Sequence, residues 1–463
     1  MVSDQGTYDT HAAKEISLDS VIRIMQNLGV SNLYVKQLAP NDNSKNQPYF
    51  GSHLTDMPFI PTGEITASPT DSMKTSKTKI KFQAVLDLSW VDAEGAAYPA
   101  PHSKLIYYPQ YPEVRFSGFL LGSKVNASKW MDPKKQGRSE GRWLILGVAK
   151  DTSVYAYLVT PECKLSSELA HASYVEVSKT FWQLNILHNA SKKSTRDALL
   201  QKLLEIHQLG WIRSQKLNSN MEFKNYQAAN GGGYTLEAML GIPPNGIAEP
   251  DYLGWEVKQF GVKSFPKTSA RLTTLMTPEP DGGYYKSSGV KEFVRTYGYA
   301  DISGKPDRMN FGGKHIVDLC HARTNLTMKL VGFDTLTCSI TDASGSIVLL
   351  DYAGNFTASW SFAKLMDHWK RKHAQAVYIP CMRRTQSGGH EYYYGKDIEL
   401  GTGTDFEKFL SAMSLGVVYY DPGIKLENAS TDNSTVKRRS QFRVNHRDLN
   451  TLYKKYEFVE MLS

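Results

Sequence analysis

The order of apolar and polar positions divides this chain into stretches of different period. Residues 15–30 (EISLDSVIRIMQNLGV) carry apolar side chains at three- and four-residue spacing and end on Gly29, which predicts a helix closed by glycine. A polar stretch rich in Asn, Ser and Pro, 39–79, reads as loops. From Ile80 the pattern becomes β-like in KIKFQAVLDLSWV, KLIYYPQYPEVRFSGFLLG, GRWLILGVAK and SVYAYLVTP, with Gly, Pro and Asp between the runs. Residues 1–172 are therefore expected to form a mainly β amino-terminal domain, a candidate DNA-binding or effector module.

Between 174 and 217 the spacing turns helical. SYVEVSKTFWQLNILHNAS and STRDALLQKLLEIHQLGWI predict two helices, the second capped by Ser194 or Thr195 and stopped at Gly210. NGGGYTLEAMLGIPPNG then reads as a Gly-rich turn feeding a short helix from Thr235, followed by the strand WEVKQF. Beyond 260, strands in RLTTLM, TMKLVGF, LTCSITD, SIVLLDY, AQAVYIP and HEYYYG alternate with helices near 361–374 and 404–413. Residues 173–463 are thus expected to form a mixed α/β domain.

Composition adds limits. A chain of 463 residues exceeds one usual domain, and 41% hydrophobic residues supply ample core material. The net charge of +8 favours phosphate-bearing partners, though only modestly, since many proteins without nucleic-acid roles are mildly basic. Cys163, Cys320, Cys338 and Cys381 form no CxxC pair, so neither a zinc site nor a disulfide framework is indicated, and buried thiols in a reducing cytosol are expected. The opening MVSDQGTYDTHAAKE has no apolar h-region, and no apolar run is long enough to span a bilayer; a cytoplasmic location follows as the expectation.

The candidate chemistry lies near residue 250. In the strand Trp255-Glu256-Val257-Lys258 the Glu and Lys are two apart, so both leave one face. Asp251 lies just upstream, across a bend containing Gly254 that can return its carboxylate to that face. Two carboxylates and an ammonium at one point suit Mg²⁺, with waters and a phosphate oxygen completing its shell. Such an ion polarises a scissile phosphate and helps deprotonate an attacking water, while Lys258 orients that water or steadies charge on the phosphate. Alone, Asp-x4-Glu-x-Lys arises by chance in roughly one chain of this length in ten, and an exposed strand edge with a surface ion pair explains an isolated match as well.

The context changes that balance. Glu237 stands in Gly233-Tyr-Thr-Leu-Glu237-Ala-Met-Leu-Gly241, just before the strand. The whole run NGGGYTLEAMLGIPPNGIAEPDYLGWEVKQF resembles the active-site region of the MvaI/BcnI restriction endonuclease family and, more distantly, the mismatch-repair nickase MutH. The resemblance continues through TLMTPEPDGGYY (274–285), Tyr-Gly-Tyr at 297–299, DRMNFGGKH (307–315) and KRRSQFRVNHRDL (437–449), over about 175–463. It implies a PD-(D/E)XK nuclease domain with a recognition lobe, in which Asp251 and Glu256 are metal ligands, Lys258 the catalytic lysine and Glu237 an auxiliary helix carboxylate. It also implies a monomeric, type II-like restriction enzyme that hydrolyses double-stranded DNA at a specific site, paired with a cognate DNA methyltransferase. The Gly-rich turn at 231–233 is not followed by Lys-Ser/Thr, so it is no Walker A loop.

DNA-reading candidates come from the basic clusters. Lys437, Arg438, Arg439, Arg443, His446 and Arg447 fall in one short stretch, and Arg443 is the first match to a family base contact. Arg383 and Arg384 stand in Arg-Arg-Thr-Gln-Ser-Gly-Gly-His390, which looks like a hairpin tip. Lys364, Lys370, Arg371 and Lys372 on the 361–374 helix read as a solvated face, and His315 and His321 as structural histidines. Two alternatives remain open: a nicking or modification-gated nuclease with the amino-terminal domain as sensor, and a DNA-binding protein without activity. For the second, Glu237, Asp251, Glu256 and Lys258 would all be expendable.

Overall fold

The computed structural model describes residues 6–40, 47–68, 81–132, 134–184, 194–244, 251–266 and 272–462. Pro250, the first residue of the motif segment, lies outside them. The chain divides into two compact units, Met1–Ser194 and Thr195–Ser463.

The first unit is built on two sheets. A seven-stranded sheet runs in the order Tyr174–Ser178, Phe181–Leu184, Val30–Gln37, Trp143–Ala149, Val154–Val159, Leu88–Val91, Ala97–Pro99. A five-stranded sheet runs Tyr49–Gly51, Glu113–Ser117, Lys104–Tyr108, Phe82–Val85, Ile65–Ala67. The opening helix Leu18–Asn27 buries Val21, Ile22 and Met25, and Gly29 follows it at φ +82°. The unit is mainly β, as its alternating runs predict.

Two expectations change here. Residues 174–184 are a β-hairpin and not a helix, with Leu184 opposite Leu33 and Trp182 opposite Val35. Val175 and Val177 are β-branched and two apart, which suits a pleated edge better than a helical turn. Because this hairpin pairs with Val30–Gln37, the first unit ends at Ser194 rather than at residue 172. The polar stretch 39–79 also contains two short strands, Tyr49–Gly51 and Ile65–Ala67.

The second unit centres on a mixed sheet. Its long strand Gln375–Gln386 runs parallel to Glu256–Gly261 and antiparallel to both Gly389–Tyr394 and Asp397–Thr402. Ile212–Arg213 and Lys455–Glu460 extend the sheet beyond these partners. Helix Thr195–Gln208, close to its predicted limits, buries Leu199, Leu203 and Ile206. They join Leu236, Leu240, Trp255, Val257, Val377, Ile379, Tyr392 and Tyr394 in one core. Smaller antiparallel sheets complete the unit; in one of them Phe442–Asn445 lies between Leu272–Met276 and Val418–Tyr420. The mixed α/β expectation holds. The helix Gly289–Tyr297 and the strands from Asp397 onward were not foreseen.

All four cysteines are free; Cys163 and Cys381 are buried, but Cys320 and Cys338 are exposed, contrary to the expectation of buried thiols. Among the described residues no helix is long and apolar enough to cross a membrane.

Candidate active site

The strand Glu256–Gly261 separates two environments by its period of two. Trp255 and Val257 enter the core, while Glu256 and Lys258 leave the opposite face. On that side Phe260 packs against the His446 ring, with centroids 4.1 Å apart. Glu256 is only 5% exposed, so its charge requires close compensation. Lys258 Nζ donates to Glu256 Oε1 at 2.9 Å.

Asp251 reaches the same place through a tight reversal. Tyr252 and Trp255 exchange backbone hydrogen bonds of 3.0 and 2.8 Å around Leu253 and Gly254. Both central residues have positive φ, +50° and +84°, the geometry of a primed hairpin turn in which glycine is at ease and leucine is strained. The turn brings Asp251 Oδ2 to the backbone N–H of Val257, which donates to it at 2.9 Å. The bend expected from Gly254 is thus present.

Glu237 is delivered by a helix that begins earlier than its sequence suggests, at Gly231 rather than Thr235. Three glycines in a first turn cost roughly 1 kcal/mol each in propensity, and packing accounts for two of them. A Cβ on Gly231 would stand 2.7 Å from the Tyr392 hydroxyl, and one on Gly232 would stand 3.2 Å from the Tyr392 ring. Tyr394 Oη donates to Gly232 O at 2.7 Å, and Thr235 Oγ1 accepts from Gln215 N at 3.0 Å. Gly231 and Gly232 thus serve the close approach of helix to sheet.

A second cation closes the cluster. Lys372, in the last turn of helix Phe362–His373, places Nζ 3.1 Å from Glu256 Oε2 and 3.5 Å from Asp251 Oδ1. The expected solvated basic face is therefore corrected. Lys370 is buried, Lys364 donates to Glu279 O, Arg371 pairs with Asp367, and Lys372 turns into the site. The signal available in the sequence was its position three residues after Trp369, on the flank of the apolar stripe Phe362, Leu365, Trp369, His373.

The electrostatics follow from this packing. Burial pushes the Glu237 carboxyl up to about 7, with Asp251 and Glu256 adding to the effect and Lys372 and Lys258 opposing it. Burial likewise raises Glu256, although Lys258 and Lys372 counter it. Burial disfavours the charge on Lys372, but Glu256 and Asp251 outweigh it and hold that ammonium above the ordinary lysine range.

A sequence model of the MvaI/BcnI restriction endonuclease family matches residues 200–453, more than half of the chain. The chain belongs to the MvaI/BcnI restriction endonuclease family. Membership makes it a restriction endonuclease of the type II class. Among solved structures, the complex of restriction endonuclease MvaI with its cognate DNA substrate is 16% identical, with a TM-score of 0.43; the match covers 59% of this chain and 100% of that one. MvaI without DNA is 14% identical, with a TM-score of 0.33 over 58% of this chain and 99% of that one. No curated protein matches the chain.

The family match spans all four expected site residues and Lys372, and every one of them lies in the second unit. The base-reading candidates are placed less uniformly. Arg438 and Arg439 are exposed, whereas Arg443 is half-buried in a strand and paired with Asp421 at 2.8 Å. His446 is buried against Glu399 and does not belong to the basic surface. Arg383 and Arg384 lie within the long strand rather than at the hairpin tip, which is Ser387–Gly388. Arg383 is exposed, while Arg384 pairs with Glu391 at 2.7 Å and covers the Trp211 ring at 4.3 Å. His315 is a structural histidine: it is fully buried, hydrogen-bonded near Gly313 O and Thr324 Oγ1, and pushed down by burial to about 3.

The raised Glu237 pKa has a consequence for metal-free stability. Between its ordinary 4.5 and about 7, the folded chain keeps a proton that the unfolded chain releases, so stability falls as pH rises through that window. Glu237→Gln should remove this loss, gaining about 1–3 kcal/mol above the window and almost nothing below it. Urea melts of both metal-free proteins at the two ends of the window read the difference; an equal offset at both ends would mean that Glu237 is not a strained buried acid.

Proposed function

We propose that this protein is a Mg²⁺-dependent, site-specific endonuclease of the PD-(D/E)XK type that hydrolyses phosphodiester bonds in double-stranded DNA. The observation that carries the reading is the meeting of Asp251, Glu256 and Lys258 on one strand face inside a restriction-endonuclease family match. Among the described residues no group of three or more His, Cys, Asp or Glu side chains is arranged to hold a metal ion by itself. Mg²⁺ does not need such a cage, because it commonly keeps its waters and takes one or two carboxylates plus phosphate oxygens. The pair Asp251 and Glu256 already holds a cationic group between its oxygens, the Lys372 ammonium, so its charge and spacing fit a small cation.

Asp251 and Glu256 would hold the ion, and the Val257 amide fixes the Asp251 carboxylate for that role. When bound, the ion supplies Lewis-acid polarisation of the phosphate and a more acidic water. Lys258 orients the attacking water and stabilises charge gathering on the phosphate. Glu237, whose carboxyl burial raises in the metal-free protein, is the auxiliary acid at the edge of this site. The amino-terminal unit is a candidate second DNA-binding or effector module, and the enzyme is expected to act as a monomer beside a cognate methyltransferase.

Plasmid DNA incubated with the protein should become linear with Mg²⁺ and stay intact with EDTA. Cleavage unaffected by EDTA would refute metal dependence, and nicked circles alone would assign a strand-nicking activity. For recognition, Arg443→Ala is expected to cost roughly 1–3 kcal/mol of discrimination at one base pair. Exposed Arg438 and Arg439 act as phosphate contacts, and Arg383 and Arg384 are further DNA-binding candidates. Alanine at Arg438 or Arg439 should weaken all sequences alike and reduce the salt slope by about one. Binding isotherms on cognate and random duplexes across salt separate the two behaviours.

A further inference from the structure

The geometry points to Lys372 as a resident counter-cation: its ammonium occupies the seat between Asp251 and Glu256 in the metal-free protein and must leave when a divalent ion binds. The inference deepens the metal reading given above and rests on it.

Its basis is steric and electrostatic. Nζ of Lys372 lies 3.5 Å from Asp251 Oδ1 and 3.1 Å from Glu256 Oε2, so one ammonium bridges the two carboxylates assigned to the metal. Lys258 does not share that position, since it meets the other oxygen of Glu256, Oε1, at 2.9 Å. The two lysines therefore divide the work, one flanking Glu256 and the other standing between the acids. An ion bound to Asp251 Oδ1 and Glu256 Oε2 would need the volume that Nζ fills, and two like charges would repel at that distance.

The arrangement also answers a stability problem. Glu256 is 5% exposed, and a buried carboxylate without a counter-charge is costly. Lys372 supplies that charge from a helix anchored by Trp369 and His373, both fully buried, so the ammonium is held near the acids without a metal. The lysine stem is long and flexible enough to swing aside without moving the helix. The result is a site that is folded and neutralised at rest, with a raised threshold for metal.

The test uses the full chain and Mn²⁺ as the probe, read by the loss of free-ion EPR signal during titration. K372M should bind Mn²⁺ on the order of tenfold more tightly than the wild type, because no ammonium has to be displaced. Its metal-free melting temperature should fall, and its gain in melting temperature on adding Mn²⁺ should exceed that of the wild type. K372R, which keeps the charge, should bind Mn²⁺ no more tightly than the wild type. K372Q serves the same purpose if K372M does not fold. Equal or weaker Mn²⁺ binding by the neutral variant, with a wild-type signal that Asp251→Asn abolishes, would overturn the displacement inference and leave the metal reading standing. Absence of Mn²⁺ binding by both the wild type and the neutral variant would overturn both together.

Discussion

Alanine at Asp251 or at Lys258 is expected to lower DNA cleavage on the order of 10³-fold while leaving DNA affinity in Ca²⁺ nearly unchanged. Asp251 is fixed by the Val257 amide, and Lys258 is hydrogen-bonded to Glu256 Oε1. Neither residue packs in the hydrophobic core of the second unit, so both variants should fold, Lys258→Ala with a lower melting temperature because Glu256 loses one counter-charge, and the loss of cleavage should lie in the chemical step. Single-turnover cleavage at saturating protein, together with circular dichroism of each variant, makes the comparison. Wild-type cleavage by either variant would remove that residue from the site.

The second large effect concerns where the chain can be divided. A fragment of residues 195–463 should fold and cut DNA with Mg²⁺, since it contains Glu237, Asp251, Glu256, Lys258, Lys372 and a core of its own. A fragment of residues 1–172 should aggregate. It would lack the hairpin 174–184 that pairs with Val30–Gln37, and so would expose the edge of that strand. Extending it to Ser194 should restore a soluble monomer. Gel filtration of the three fragments and a plasmid assay of the first decide the matter. A soluble 195–463 fragment that cuts nothing would make the amino-terminal unit an obligate part of recognition.

The difference between those boundaries shows which features were legible. Glu256–Gly261 could be read because its alternation is unambiguous, with Trp255 and Val257 inward and Glu256 and Lys258 outward. Helix Thr195–Gln208 could be read because Leu199, Leu203 and Ile206 repeat at helical spacing and Gly210 ends the run. Residues 174–184 were ambiguous, since Tyr174, Val175, Val177, Phe181 and Trp182 satisfy either period, and only pairing with a strand some 150 positions earlier decides it. Lys372 was hidden for a related reason. In a run of Lys370, Arg371, Lys372 and His373, charge suggests solvent, whereas direction is set by the packing of Trp369. The start of helix Gly231–Met239 was hidden too, because its glycines answer to Tyr392, a residue far along the chain. Local pattern conveys period; it does not convey which distant surface a side chain will meet.

The parallel pairing of Glu256–Gly261 with Gln375–Gln386 sets an order of events during synthesis. Glu256 lies opposite Ala376, and Lys372 comes from the helix that leads into the same strand. A ribosome that has made the entire motif from Asp251 to Lys258 has therefore not yet made the strand that supports it or the lysine that neutralises it. Domains fold as units while the chain emerges, and long-range parallel pairings close late. Nascent and prematurely terminated chains ending before about residue 381 are thus without a formed nuclease site. Late closure therefore confines a formed site to chains that extend past that strand.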